Sequence, residues 1–291
     1  MKNEKLYNTF CLMALTVPAA EAAVGKNWLP TMVVALAAFL LCTWMNGRED
    51  LQWKWLSALR MIVICLMIAW MLNWTHSCWP GKGASYAIPA ALLAVAVWAV
   101  GRGSETAQRA ANVLRYGMFL VLAVLLFSGI KNLSLDRLYP TGDLPDLSLC
   151  AVLLLPLLAQ KTEKGNPIGL IALLASIITA GTGATSLYTY SRGLSIKGVA
   201  EHIESVTACA VTVGFFATLC FLLENGKREW ANVGKGSAWF VLLLAAAAYL
   251  IYALAPQPRA EAYVVSEVIL WVLIPLIWNI KIFLSKKRKN S

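Results

Sequence analysis

Charge is scarce in this chain of 291 residues, of which only 14% are charged and only 15 are acidic. So few ionic side chains cannot coat a water-soluble body of this length, which excludes an ordinary globular enzyme or binding module. Histidine is nearly absent, with His76 and His202 as the two examples, both expected outside any apolar core. No H-E-x-x-H, Asp-rich metal motif or G-x-S-x-G occurs, so the common metallo- and serine-hydrolase arrangements are missing. His202, beside Glu201 and near Glu204, is read as a solvated loop residue rather than an acid–base or metal group. There are seven cysteines but no C-x-x-C, and six of them (Cys11, Cys42, Cys65, Cys150, Cys209, Cys220) fall in apolar runs. These read as small hydrophobes, with Cys78 external and unpaired, so neither a disulfide framework nor a zinc site is expected. The expectation is a non-enzymatic chain with no cofactor and no metal.

What fills the space instead is hydrocarbon. The sequence is 59% hydrophobic, with twelve Trp and a mean hydropathy of +0.65. Ten apolar stretches run near Leu6–Val24, Trp28–Trp44, Trp55–Trp74, Tyr86–Gly101, Leu114–Ile130, Leu144–Leu158, Pro167–Thr185, Ile203–Leu223, Ala238–Ala255 and Tyr263–Phe283. Their lengths suit helices crossing roughly 30 Å of bilayer core, where a helix satisfies its own backbone hydrogen bonds. The expected fold is therefore an all-α polytopic membrane protein of ten transmembrane helices, forming a single domain over residues 1–291 with the lipid bilayer as its main partner. Lys2 and Lys5, the run Leu6–Val17 and the following Ala-Ala-Glu-Ala-Ala have the outline of a signal peptide. The run continues directly into a second span, so it is read as retained.

The formal charge of +10 is spread along the loops rather than gathered into a patch for nucleic acid. With the N-terminus in the cytoplasm, 18 of the 25 Lys and Arg fall inside and 7 outside. The positive-inside bias thus predicts both termini to be cytoplasmic. Trp28, Trp44, Trp55, Trp74, Trp79 and Trp239 lie near span ends, where amphipathic rings favour the interface.

An even count of ten divides into two inverted five-helix repeats, roughly 6–130 and 144–284, in a LeuT-like arrangement. Pro18 and Pro156 each stand thirteen residues into the first span of their half. Proline removes an N–H and displaces a carbonyl, so the freed groups can bind an ion or solute when they line a cavity. Pro30, Pro89 and Pro275 also lie in spans, and a packing kink is the competing reading for each proline. Polar groups at depth are few: Thr16, Glu21, Ser148, Cys150, Thr182, Thr207 and Glu267. Glu21 and Glu267 lie near span ends and are expected to be hydrated. The candidate substrate-binding set is Thr16, Pro18, Ala19, Ala20, Ser148, Cys150 and Thr207, with Glu21, Glu204 and Glu267 as candidate coupling or gating carboxylates.

Two connecting segments carry more specific patterns. Gly103-Ser-Glu105-Thr-Ala-Gln-Arg109 sits between spans 4 and 5 and places Glu105 and Arg109 as i,i+4 partners on a short cytoplasmic helix. Between spans 7 and 8, Ile196, Val199, Ala200 and Ile203 form an apolar stripe leading to Glu204, as on a helix over an extracellular vestibule. Gly103, Glu105 and Arg109, with Pro156, Glu204 and the Lys26-Asn27-Trp28-Leu29 approach to span 2, resemble the spore germination permeases. These are the B subunits of germinant receptors, in the amino acid–polyamine–organocation superfamily. The chain departs from that pattern in its short loops and in carrying Thr16-Val17-Pro18-Ala19-Ala20 where a glycine-rich break is usual.

The resemblance implies a permease that binds a small solute, an amino acid, at broken helices 1 and 6, for germinant sensing or transport. It also implies residence in a bacterial cytoplasmic or spore inner membrane and other germinant-receptor subunits as partners. Two alternatives remain open: a secondary amino acid transporter unrelated to germination, and a structural membrane partner that binds no solute.

Overall fold

A computed structural model describes residues 28–45, 53–78, 86–103, 201–234, 239–254 and 265–289, with single positions between 106 and 117 and between 171 and 178. Within these residues every element is helical and there is no strand: α1 (Trp28–Met45), α2 (Lys54–Cys78), α3 (Ala87–Gly101), α4 (Glu201–Val233), α5 (Trp239–Leu254) and α6 (Ile274–Lys289), the last preceded by a π-helical turn at Val268–Leu273. Expected spans 1 and 6 lie outside the described residues, as do most of spans 5 and 7, so the ten-helix repeat is not displayed. Two helical stretches, Lys54–Asn73 and Val265–Ile282, are long and apolar enough to cross a membrane.

The centre of the bundle is α2, which packs on α3, α4, α5 and the π turn. Leu56, Ile64, Met67, Ile68, Met71 and Leu72 are all sealed from solvent along it. Paired contacts fix the helix directions. Ser57 with Asn232 and Arg60 with Glu229 make α4 antiparallel to α2, whereas Cys65 with Leu244 and His76 with Tyr252 make α5 parallel. Trp53 with Trp278 and Arg60 with Leu270 run the final helix antiparallel to α2. α4 and the final helix thus run opposite to α2, and α5 runs with it.

The helices are apolar on every side rather than amphipathic. On α5, Val241, Leu244, Ala245 and Ala248 face the core, yet Leu243 on the opposite side is 65% exposed. Leu254 continues this outward hydrocarbon surface on α5, and Leu40 and Ile277 continue it on two other helices. A helix hydrophobic all round belongs in a large core or in lipid. Close approach is achieved with small residues. A Cβ placed on Gly226 of α4 would collide with the Leu244 side chain and touch Ile64, so this glycine lets α2, α4 and α5 meet.

Two boundaries need a physical account. Span 8 was expected to end at Leu223, but α4 continues through the polar residues 224–233, giving 33 residues and a length of about 50 Å. Hydropathy registers lipid solvation, whereas helical hydrogen bonding proceeds equally well in the polar extension. Pairing of Glu229 and Asn232 with α2 holds it. At the other boundary, α3 stops as expected at Gly101. Arg102 N–H donates to Trp98 and Gly103 N–H to Val100, and Gly103 takes φ +112°. A side chain there would be strained, which gives Gly103 a structural role in ending the helix.

Candidate functional site

The three described prolines in helices differ in their consequences. Pro30 is the third residue of α1 and Pro89 the third of α3, within the first turn, where the missing N–H would have had no helical partner. Pro275 alone interrupts a continuing helix. Its ring crowds the carbonyl four residues earlier, at Trp271, and the backbone widens into the π turn Val268–Leu273. Ile274 N–H accordingly donates to Ile269, five residues back. The Leu270 carbonyl is then left without a helical donor. Ile274 is already engaged with Ile269, and the next candidate, Pro275, has no N–H.

Arg60 of α2 fills that vacancy. Its Nη2 donates to the Leu270 carbonyl at 3.0 Å and its Nε at 3.3 Å, while Nη1 meets Glu229 Oε1 of α4 at 3.2 Å. The guanidinium also lies 5.6 Å from the Trp271 ring centroid, a cation–π distance. One side chain therefore ties three helices together at a broken turn. The pair is largely enclosed, with Arg60 at 13% and Glu229 at 14% side-chain exposure, so water screens it little.

One residue before the π turn stands Glu267, fully buried, with both carboxylate oxygens enclosed and lacking a hydrogen-bond partner among the described residues. The expectation that Glu267 is hydrated near the span end is therefore corrected. The antiparallel register set by Trp53 with Trp278 and Arg60 with Leu270 brings position 267 level with Ile64, in the most buried stretch of α2. Two unengaged acceptor oxygens in an apolar surround can receive a proton, an ammonium or a hydroxyl group. At the opposite end of α2, His76 Nδ1 and the Tyr252 hydroxyl are 2.6 Å apart, with Tyr86 and Tyr249 packed around them.

Of the expected site residues, the structure describes Glu267, Gly103, helical Arg109, and Glu204 and Thr207 in the first two turns of α4. Thr16, Pro18, Ala19, Ala20, Glu21, Ser148, Cys150, Pro156 and Glu105 lie outside the described residues. The Arg60, Glu229 and Leu270 cluster was not singled out from sequence, where Arg60 counted only among the 18 Lys and Arg on the cytoplasmic side. The available signal was its position six residues into an apolar run, where an unpaired guanidinium is costly. Among the described residues no group of three or more His, Cys, Asp or Glu could hold a metal ion, and Cys65 and Cys220 are buried free thiols. No protein-family model and no curated protein matches the chain.

Proposed function

We propose that this chain is a ten-span membrane permease of the germination-permease kind, with two inverted five-helix repeats and both termini cytoplasmic. It binds a small solute, an amino acid, between broken spans 1 and 6, in germinant sensing or transport. The observation that carries the reading is Glu267, a buried carboxylate with no hydrogen-bond partner among the described residues, on a helix broken at a π turn. Carboxylates at depth in an apolar bundle are costly and are retained where a substrate or coupling ion uses them. Interrupted helices are the feature by which transporter bundles expose backbone groups to a solute. The all-round apolar helices support the membrane setting, and the motif residues Gly103, Glu105, Arg109, Pro156 and Glu204 support the family.

The test is thermal stabilisation of the purified protein in detergent across a panel of amino acids. A ligand at a hundred times its Kd stabilises the folded state by about 2.7 kcal/mol. Thr16→Val, Ala19→Leu and Ala20→Leu should weaken the stabilisation, and Glu267→Gln should alter its pH dependence. If no amino acid stabilises the protein, or all four variants respond as the parent does, the permease reading fails.

A further inference from the structure

Pro275 forces one orphan carbonyl on the final helix whichever way the backbone winds. In a regular α turn, Ile274 N–H would serve Leu270, and Trp271 would be orphaned because its donor would be Pro275. In the π turn that the structure adopts, Ile274 N–H serves Ile269 and Leu270 is left without a helical donor. The two registers therefore differ at Leu270, which has a donor in the α turn and none in the π turn, and Leu270 is the carbonyl that receives the Arg60 guanidinium. The Pro275 ring opens the helix here, and the Arg60 guanidinium compensates the carbonyl that the π turn leaves over.

We propose that Arg60 is a positioning residue that selects the π register of residues 268–273 and thereby holds Glu267 inside the bundle. The proposal rests on the reading above in taking Glu267 as the coupling carboxylate. Below the turn the helix is anchored by the Trp278 ring against Trp53. Changing from π to α therefore moves the part before the turn. Taking one residue out of a turn rotates that part by about 100° and shifts it by about 1.5 Å along the axis. Glu267, now sealed, would turn to the direction of a neighbour one residue away, and both Ser266 and Val268 are only half-buried. The element is a two-state switch with one residue's worth of rotation between its states, and the Arg60 contact is its catch. Glu229 meets the guanidinium through Nη1, whereas the bonds to the turn come from Nε and Nη2.

The experiment reads the position of Glu267 and uses no solute, so its outcome is independent of whether an amino acid binds. Purified full-length protein is treated with dicyclohexylcarbodiimide, which reaches lipid-facing carboxyls, and in parallel with a water-soluble carbodiimide. Modification at Glu267 is then quantified by peptide mass spectrometry. In the parent chain Glu267 should resist both reagents. Arg60→Gln should make it reactive toward at least one. Glu229→Gln, which leaves the guanidinium on Leu270, should keep it protected. Pro275→Ala returns an N–H and lets the α register form with no orphan, so Glu267 should react even with Arg60 intact. Should Arg60→Gln not yield folded protein, Pro275→Ala decides alone. Continued protection of Glu267 in folded Pro275→Ala, or in folded Arg60→Gln, overturns the proposal, as does reactivity in Glu229→Gln equal to that in Arg60→Gln.

Discussion

Gly226 offers a prediction in which the sign of an effect depends on a second residue. Replacing glycine by alanine inside a helix ordinarily stabilises it by about 1 kcal/mol, because the backbone has less freedom to lose. At Gly226 the new methyl would collide with the Leu244 side chain, itself buried at 6% exposure and unable to swing outward freely. Overpacking of this kind costs about 1–3 kcal/mol. The collision therefore outweighs the propensity gain, and Gly226→Ala should lower stability by up to about 2 kcal/mol. Truncating the obstacle reverses the balance. Leu244→Ala alone should cost about 2–5 kcal/mol through lost burial and the cavity left behind. In that background Gly226→Ala meets only Ile64, at an ordinary van der Waals distance of 3.7 Å, and should become stabilising by up to about 1 kcal/mol. Melting of the four proteins in one detergent, followed by the loss of monodisperse protein in size-exclusion chromatography, measures the cycle. An effect of the same sign in both backgrounds would refute the close approach of α4 and α5 at this level.

Other expectations concern separate parts of the bundle. Glu229→Gln removes the ionic partner of Arg60 at an enclosed site and should cost about 1–3 kcal/mol, the range for hydrogen bonds to charged groups; a neutral result in the same melting assay would place the pair in water. Tyr252→Phe keeps the ring contacts with Tyr86 and Tyr249 but deletes the hydroxyl near His76, so a loss of about 0.5–1.5 kcal/mol is expected, and none at all would argue against that hydrogen bond. For topology, Arg288→Cys should react with an impermeant maleimide only after cells are permeabilised; labelling in intact cells would invert the assignment of the C-terminus.

Much of the helical layout could be read from hydropathy. Trp28–Trp44, Tyr86–Gly101 and Ala238–Ala255 fall on α1, α3 and α5 because an apolar run bounded by polar residues is itself the signal. The polar end of α4 was illegible for the converse reason: residues 224–233 are held as helix by partners on α2, and nothing in their own composition announces those partners. Pro275 could be recognised as an interruption, but not the carbonyl it would free. That depends on a donor 210 residues earlier in the chain. Glu267 was placed by its distance from the span end, a rule about depth. Its burial is set by lateral packing against α2, which one-dimensional reading does not contain. The residues expected to bind solute at spans 1 and 6 rest on proline position and resemblance.

The ties made by Arg60 also have a bearing on synthesis. Its partners Glu229 and Leu270 follow it by 169 and 210 residues. At roughly 5–20 residues per second, α2 waits on the order of ten seconds or more before either is made. In a membrane the waiting guanidinium must reach up to the interface for water, drawing the start of α2 with it. In a bilayer, the helix that ends at the centre of the bundle would therefore enter shallow and be drawn to its final depth by the last helices to emerge. Chains truncated before Glu229 should accordingly be substrates for membrane quality control, while those reaching past Pro275 escape it.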